Sequence, residues 1–226
     1  LWLARSPASY AALADDPIFF RTALNTVVFL VLAVNVKMAV ALGLSGFFVQ
    51  TRWWIKALSL LFILPWAVPS IPTILSVRFM LNPEWGVINS TIFKLTGLDG
   101  PNWLNDPALA LSLSMLMHIW KSLPFWTLIL ITGRLAIPTE LYEAASVDGA
   151  SRWQQFWQIT IPMLMPSIIV ALIFRTITAL QTFDIPYTMT KGGPGNSTQT
   201  LAMLIHATTI DYLDLGYGST LAVCMF

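Results

Sequence analysis

Cysteine and histidine are almost missing from this sequence. Cys224 is the only cysteine, so the chain forms no disulfide within itself and offers no cysteine cluster for zinc. The two histidines, His118 and His206, lie far apart and without His-Glu-x-x-His spacing, which removes the usual metalloprotease signature. No metal site and no catalytic residue is assigned. Charge is scarce too: Asp, Glu, Lys and Arg make up 10% of residues, where soluble domains carry about 25%. Their balance, +1 at pH 7, excludes a polybasic nucleic-acid surface and gives no sign of an acidic tail.

What fills the sequence is apolar: 56% of residues are hydrophobic. A bilayer core asks for about 20 predominantly apolar helical residues, and four stretches meet that length: 20–49, 55–81, 108–131 and 163–187. A fifth begins near Leu213 and reaches Phe226 without completing a crossing. The expected fold is all-α, a polytopic transmembrane helical bundle forming a single domain over 1–226, with about five spans present. The start at Leu1 and the end in an apolar run lead us to expect missing sequence at both ends.

Two links keep neighbouring helices together, 50–54 and the longer 132–162. Arg52 and Lys56 mark the first, Arg134 and Arg152 the second, whereas Arg5, Lys94 and Lys191 are spread over far more residues on the opposite side. The positive-inside rule therefore puts both of these links in the cytoplasm. The other links, 82–107 and 188–212, are rich in Gly, Pro, Asn and Asp and read as turns and loops. Trp53, Trp54, Trp85 and Trp103 read as headgroup anchors. Pro65, Pro69 and Pro72 fall inside the second span, which must be kinked or partly unwound, its freed carbonyls partnered by protein or water.

The link 132–162 is the most informative segment. It reads as two short helices with a sharp break. Thr139 is the expected cap of the first and Glu140 suits its positive end. Gly149 turns the chain, Ser151 with Gln154 makes a capping box for the second helix, and Pro162 stops that helix and opens the next span. One side of the pair carries Trp153, Phe156 and Trp157. These alone also suit a helix resting on lipid headgroups, but such anchors usually carry more than the one basic residue present, Arg152.

Glu143-Ala144-Ala145, then Gly149, then Ile159 and Ile161-Pro162, resembles the EAA loop of binding-protein-dependent ABC importer permeases, with Ile161 where leucine is usual. Trp120-Lys121-Ser122-Leu123-Pro124-Phe125 before it, and Phe183-Asp184-Ile185-Pro186-Tyr187 with Gly192-Gly193-Pro194 after it, resemble the carbohydrate-uptake branch that includes the maltose, glycerol-phosphate and trehalose permeases. The resemblance implies a type I importer permease fold with six spans in the full protein. It also implies a multi-pass location in a prokaryotic inner membrane and import of an oligosaccharide, polyol or glycerol-phosphate type of solute by alternating access. Glu143, Ala144, Ala145, Asp148, Gly149, Ile159 and Pro162 then couple to an ATPase. Expected partners are a second permease, two ATP-binding cassette subunits that hold ATP and magnesium, an extracytoplasmic solute-binding protein and membrane lipid. This chain itself carries no cofactor.

Lys37, Lys121 and Arg175 fall within predicted spans, where a charge costs roughly 2.5–3.5 kcal/mol. Lys37 reads as snorkelling along its own stem. Lys121 and Arg175 either line a solute path with Ser122, Phe125, Thr178, Gln181 and Asp184 or pair between helices, for instance with Asp184. The resemblance to maltose-type permeases adds His118 and Ala179 to that path. An ion-coupled secondary transporter is the rival reading, in which the buried cations serve as relay sites. A membrane enzyme is the other, but the residues give it no clustered nucleophile and base.

Overall fold

The computed structural model describes residues 7–225; Arg5 and the chain ends at Leu1 and Phe226 lie outside the described residues. Among these the regular structure is helical throughout. In order the helices are α1 (Pro7–Ala14), α2 (Pro17–Phe48), α3 (Trp53–Ala67), α4 (Ser70–Met80), α5 (Val87–Thr96), α6 (Pro107–Leu135), α7 (Thr139–Val147) and α8 (Arg152–Gln155). A π-turn, Phe156–Thr160, leads into α9 (Ile161–Leu180). Then come α10 (Asp184–Thr190), α11 (Leu201–His206), a second π-turn (Ala207–Asp211) and α12 (Leu215–Met225).

Among the described residues three helical runs are long and apolar enough to cross a membrane, and a fourth if α3 and α4 count as one broken span. The 32 residues of α2 reach about 48 Å, more than the roughly 30 Å of a hydrocarbon core. The break between α3 and α4 falls at Val68 and Pro69, inside the proline cluster. Pro72 is tolerated in the first turn of α4, where its missing N–H has no helical acceptor. At the other end, α9 stops at Leu180 and a non-helical step separates it from α10, so the apolar stretch 163–187 is not one helix. The links 82–107 and 188–212 also hold more helix than their turn-forming residues suggest: α5 is a short helix between Gly86 and Gly97, and α11 is a short helix capped by Thr200.

The contacts divide the chain into two compact units, with the chain passing between them within α2, α6 and α9 and at the α3–α4 break. One comprises residues up to Ala33, Pro69–His118 and those from Thr178 on. Its apolar centre is Ile74, Leu81, Met117, Ile185 and Met189, against which Trp103 packs. Trp103 is therefore not a headgroup anchor: its indole N–H donates to Asn89 Oδ1 at 2.6 Å, and Asn89 is itself buried. The Gly192-Gly193-Pro194 loop is held by α2. Asn25 donates to the carbonyls of Asn196 (3.0 Å) and Gln199 (3.1 Å), and Thr26 Oγ1 accepts from the Leu201 N–H at 2.9 Å.

The other unit comprises Val34–Val68 and Ile119–Ile177. Trp126, Leu130, Leu164 and Ala171 are fully buried in it. Lys37 is buried as well, 1% exposed, with its ammonium 5.7 Å from the centre of the Trp126 ring. It does not snorkel. Lys37 stands eleven residues before the end of α2, about 16 Å of helix, too far for its stem to reach a headgroup layer, so it turns inward onto an aromatic face. Towards the end of α6, Arg134 donates from Nε to Ser45 Oγ (2.8 Å) and from Nη2 to the Leu42 carbonyl (3.1 Å) on α2. The residue just before Arg134, Gly133, meets α9 so closely that a Cβ there would strike Ser167 Oγ and come within 2.8 Å of Leu164 Cδ2.

Candidate coupling segment and solute-path residues

The segment between α6 and α9 lies wholly in the second unit. α7 begins at Thr139 with Pro138 at its cap position and no side-chain cap, so Thr139 does not cap it. The residue before α7 that could have capped is a proline, which has no polar side chain. At the other end the Ala150 N–H donates to the Ala145 carbonyl (2.9 Å) and the Gly149 N–H to the Ser146 carbonyl (3.1 Å), a Schellman motif. Gly149 has φ +79°, the left-handed region where a Cβ is costly. Ser151 and Gln154 form the reciprocal capping box of α8.

Pro162 does not stop the second helix. Helix continues from α8 through the π-turn into α9, with Pro162 as the second residue of α9. A proline ring crowds the carbonyl four residues back and cannot donate; the wider π-turn just upstream, closed by the Ile161 N–H on the Phe156 carbonyl, absorbs both defects. The result presents Glu143, Ala144 and Asp148 exposed, Ala145 and Ile159 half-buried, Gly149 and Pro162 exposed. Among the described residues, its own chain neighbours aside, nothing lies within 4 Å of a Cβ built on Gly149.

The residues expected to line a solute path fall in both units. In the second, Lys121 is buried, and its Nζ donates to the carbonyls of Pro65 (2.9 Å) and Val68 (2.7 Å). Four residues along α6, the Phe125 ring has the Arg175 guanidinium 4.0 Å from its centre and touches Trp66 at 5.6 Å. Ser122 is half-buried beside them in sequence. In the first unit, His118 meets Phe29 edge-on at 5.1 Å, Thr178 is exposed, Ala179 is buried, and Asp184 opens α10 half-buried.

Residues 37–226 match the family of binding-protein-dependent transport system inner membrane components. The chain belongs to that family. As a member it is an ABC permease, a transport component of the inner membrane and not an enzyme, and ion-coupled secondary transport is not favoured. The sulfoquinovosyl glycerol transport system permease protein of Agrobacterium fabrum is 49% identical over 223 residues, covering 96% of this permease and 70% of that protein. The trehalose/maltose transport system permease protein of Thermococcus litoralis is 39% identical over 201 residues, covering 85% and 65%. The crystal structure of a bacterial alginate ABC transporter, in complex with an alginate pentasaccharide-bound periplasmic protein, shares the fold. It superposes with a TM-score of 0.86 at 23% identity, over 95% of this permease and 75% of that chain.

Several residues that build this region gave little signal in the sequence. Arg134 reads there as a cytoplasmic charge, yet it ties α6 to α2. Trp66 falls within the apolar stretch 55–81 with nothing to single it out, yet its ring centre lies 5.6 Å from that of Phe125. Tyr142 and Thr160 are eighteen residues apart and meet hydroxyl to hydroxyl at 2.9 Å. Only the small residues opposite Arg134, Ser45 and Gly46, hinted at a close approach, and a Cβ on Gly46 would lie 3.5 Å from its Cζ.

Proposed function

We propose that this permease carries a sugar or sugar-like solute across the membrane by alternating access, driven by an ATPase that grips residues 139–161. The observation that carries the coupling reading is the bend at Gly149. A Schellman motif and a capping box fix the angle between two short helices, while Glu143, Ala144 and Asp148 stay uncovered by this chain. Small alanine side chains admit a partner surface, and the carboxylates offer acceptors to arginine or backbone N–H groups. Differential docking of such a handle in two ATPase states shifts the population between inward- and outward-facing arrangements. ATP and magnesium stay on the ATPase.

The solute class rests on relatives whose names specify sulfoquinovosyl glycerol and trehalose/maltose transport. Chemistry supports it: an aromatic face such as Phe125 stacks on the apolar side of a pyranose, and Ser122, on the same helix, offers a hydroxyl that both donates and accepts. The full importer contains a second permease, two ATP-binding cassette subunits and an extracytoplasmic solute-binding protein.

The test is co-purification of the permease with its ATPase subunits, followed by reconstitution with the binding protein and labelled trehalose, maltose or sulfoquinovosyl glycerol. Gly149→Asp is the key variant. Aspartate tolerates the left-handed region better than most residues, so its effect reports the partner's approach and not a broken turn. Loss of solute-stimulated ATPase activity is expected. Normal stimulation in that variant, or a wild-type permease without ATPase subunits, overturns the coupling reading.

A further inference from the structure

Two hydrogen bonds tie α7 to the two ends of the π-turn at the base of α9. The Tyr142 hydroxyl and Thr160 Oγ1 lie 2.9 Å apart, and Gln155 Nε2 donates to Ser146 Oγ at 2.9 Å. Gln155 also reaches the Ala150 carbonyl beyond the end of α7, at 3.3 Å. The pairing is antiparallel, as a hairpin of helices requires: the earlier residue on α7 meets the later one on the turn.

The spacings explain why a π-turn stands here. On α7 the anchors are four residues apart, one turn along one face. On the other side they are five apart. Residues five apart on an unbroken α-helix point about 140° away from each other, so Gln155 and Thr160 could not both face α7. The i→i+5 turn brings them to the same side, and Thr160 Oγ1 lies 3.4 Å from the Gln155 carbonyl that starts that turn. Thr160 is buried although the surrounding segment is largely exposed.

We infer that Tyr142, Ser146, Gln155 and Thr160 form a two-point latch that makes the coupling segment and α9 move as one body. They are positioning residues: they hold the handle to the span without touching the ATPase or the solute. This inference rests on the coupling role proposed above. Without the latch, motion delivered to α7 is taken up by rotation at Gly149 and never reaches α9. With one bond left, α7 still swings about it; with both, it is fixed.

The test uses the whole importer in proteoliposomes with its binding protein. Thr160→Val and Gln155→Leu, alone and together, are compared with the wild type for assembly, ATP hydrolysis and solute moved per ATP. Complexes are expected to assemble with ATP hydrolysis within about twofold of wild type, while solute per ATP falls about fivefold per lost bond, the usual weight of one hydrogen bond. Thr160→Ser, which keeps the hydroxyl, restores the ratio. A merely structural role predicts fewer complexes with an unchanged ratio, and that result overturns the latch. Should the variants not assemble, Ser146→Cys with Gln155→Cys in a Cys224→Ser background, bridged by a short thiol cross-linker, decides the matter. Transport that survives bridging supports a latch closed throughout the cycle; transport lost on bridging overturns it. If wild-type complexes lack ATPase subunits, or Gly149→Asp couples normally, the coupling role itself fails; if both hold and the latch variants keep the wild-type ratio, the latch alone fails.

Discussion

Lys121 donates to two carbonyls that the break between α3 and α4 leaves without helical partners. In a continuing helix the Pro65 carbonyl would be met by the N–H of residue 69, which is proline, and Val68 lies between the two helices with extended backbone, so its carbonyl has no helical donor. A single ammonium at 2.9 and 2.7 Å takes the place of both missing donors. Inside a bilayer, where water cannot make up the loss, an unmet carbonyl is costly.

Lys121→Met is therefore expected to destabilise the permease by about 2–4 kcal/mol, the weight of one or two polar groups left unmet. Thermal unfolding of the detergent-solubilised complex without solute checks it. A role in solute contact alone would leave that transition where it is and alter only transport.

Arg134→Met removes two charge-assisted hydrogen bonds, to Ser45 and to the Leu42 carbonyl, and frees the end of α6 from α2. The expected loss is about 1.5–3 kcal/mol. Faster proteolytic cutting between residues 136 and 151 measures it, since the adjoining segment hangs from that end.

Gly133→Val forces a branched side chain into the space of Ser167 and Leu164. Overpacking of this kind costs typically 1–3 kcal/mol or more, so low yields of folded permease are expected. Pairing it with Ser167→Gly should recover part of the yield, because the second change removes the atom struck first.

At Gly149 the outcome depends on backbone conformation. Gly149→Val is expected to weaken the turn by about 1–2 kcal/mol, while Gly149→Asn, at home in the left-handed region, leaves the segment folded. Hydrogen exchange at the amide of Ala150, which closes the Schellman motif, distinguishes the two: fast in the first variant, protected in the second.

Apolar lengths, the proline cluster, Gly149 and the Ser151–Gln154 pair made the helical fold, the broken helix and the bend before α8 legible in the sequence. What was not legible depended on register or on distant partners. Pro162 reads as a helix stop only while the preceding turn is taken to be α-helical; a π-turn lets the helix run through. Thr139 reads as a cap until the backbone puts Pro138 in that place. Lys37 and Trp103 have the composition of interface residues, and only packing against Trp126 and Asn89 turns them inward. The family motifs stood out because they are local. The Arg134, Lys121 and Tyr142 contacts did not, because each joins segments separated by eighteen residues or more.

The bare backbone at Gly133 brings α6 against α9 beside the place where α6 leads into the coupling segment. The poles from which that segment hangs are thus bolted together near their feet. Under the coupling proposed above, a pull on it would not spread them like the legs of a compass; it would lean the pair as a single mast.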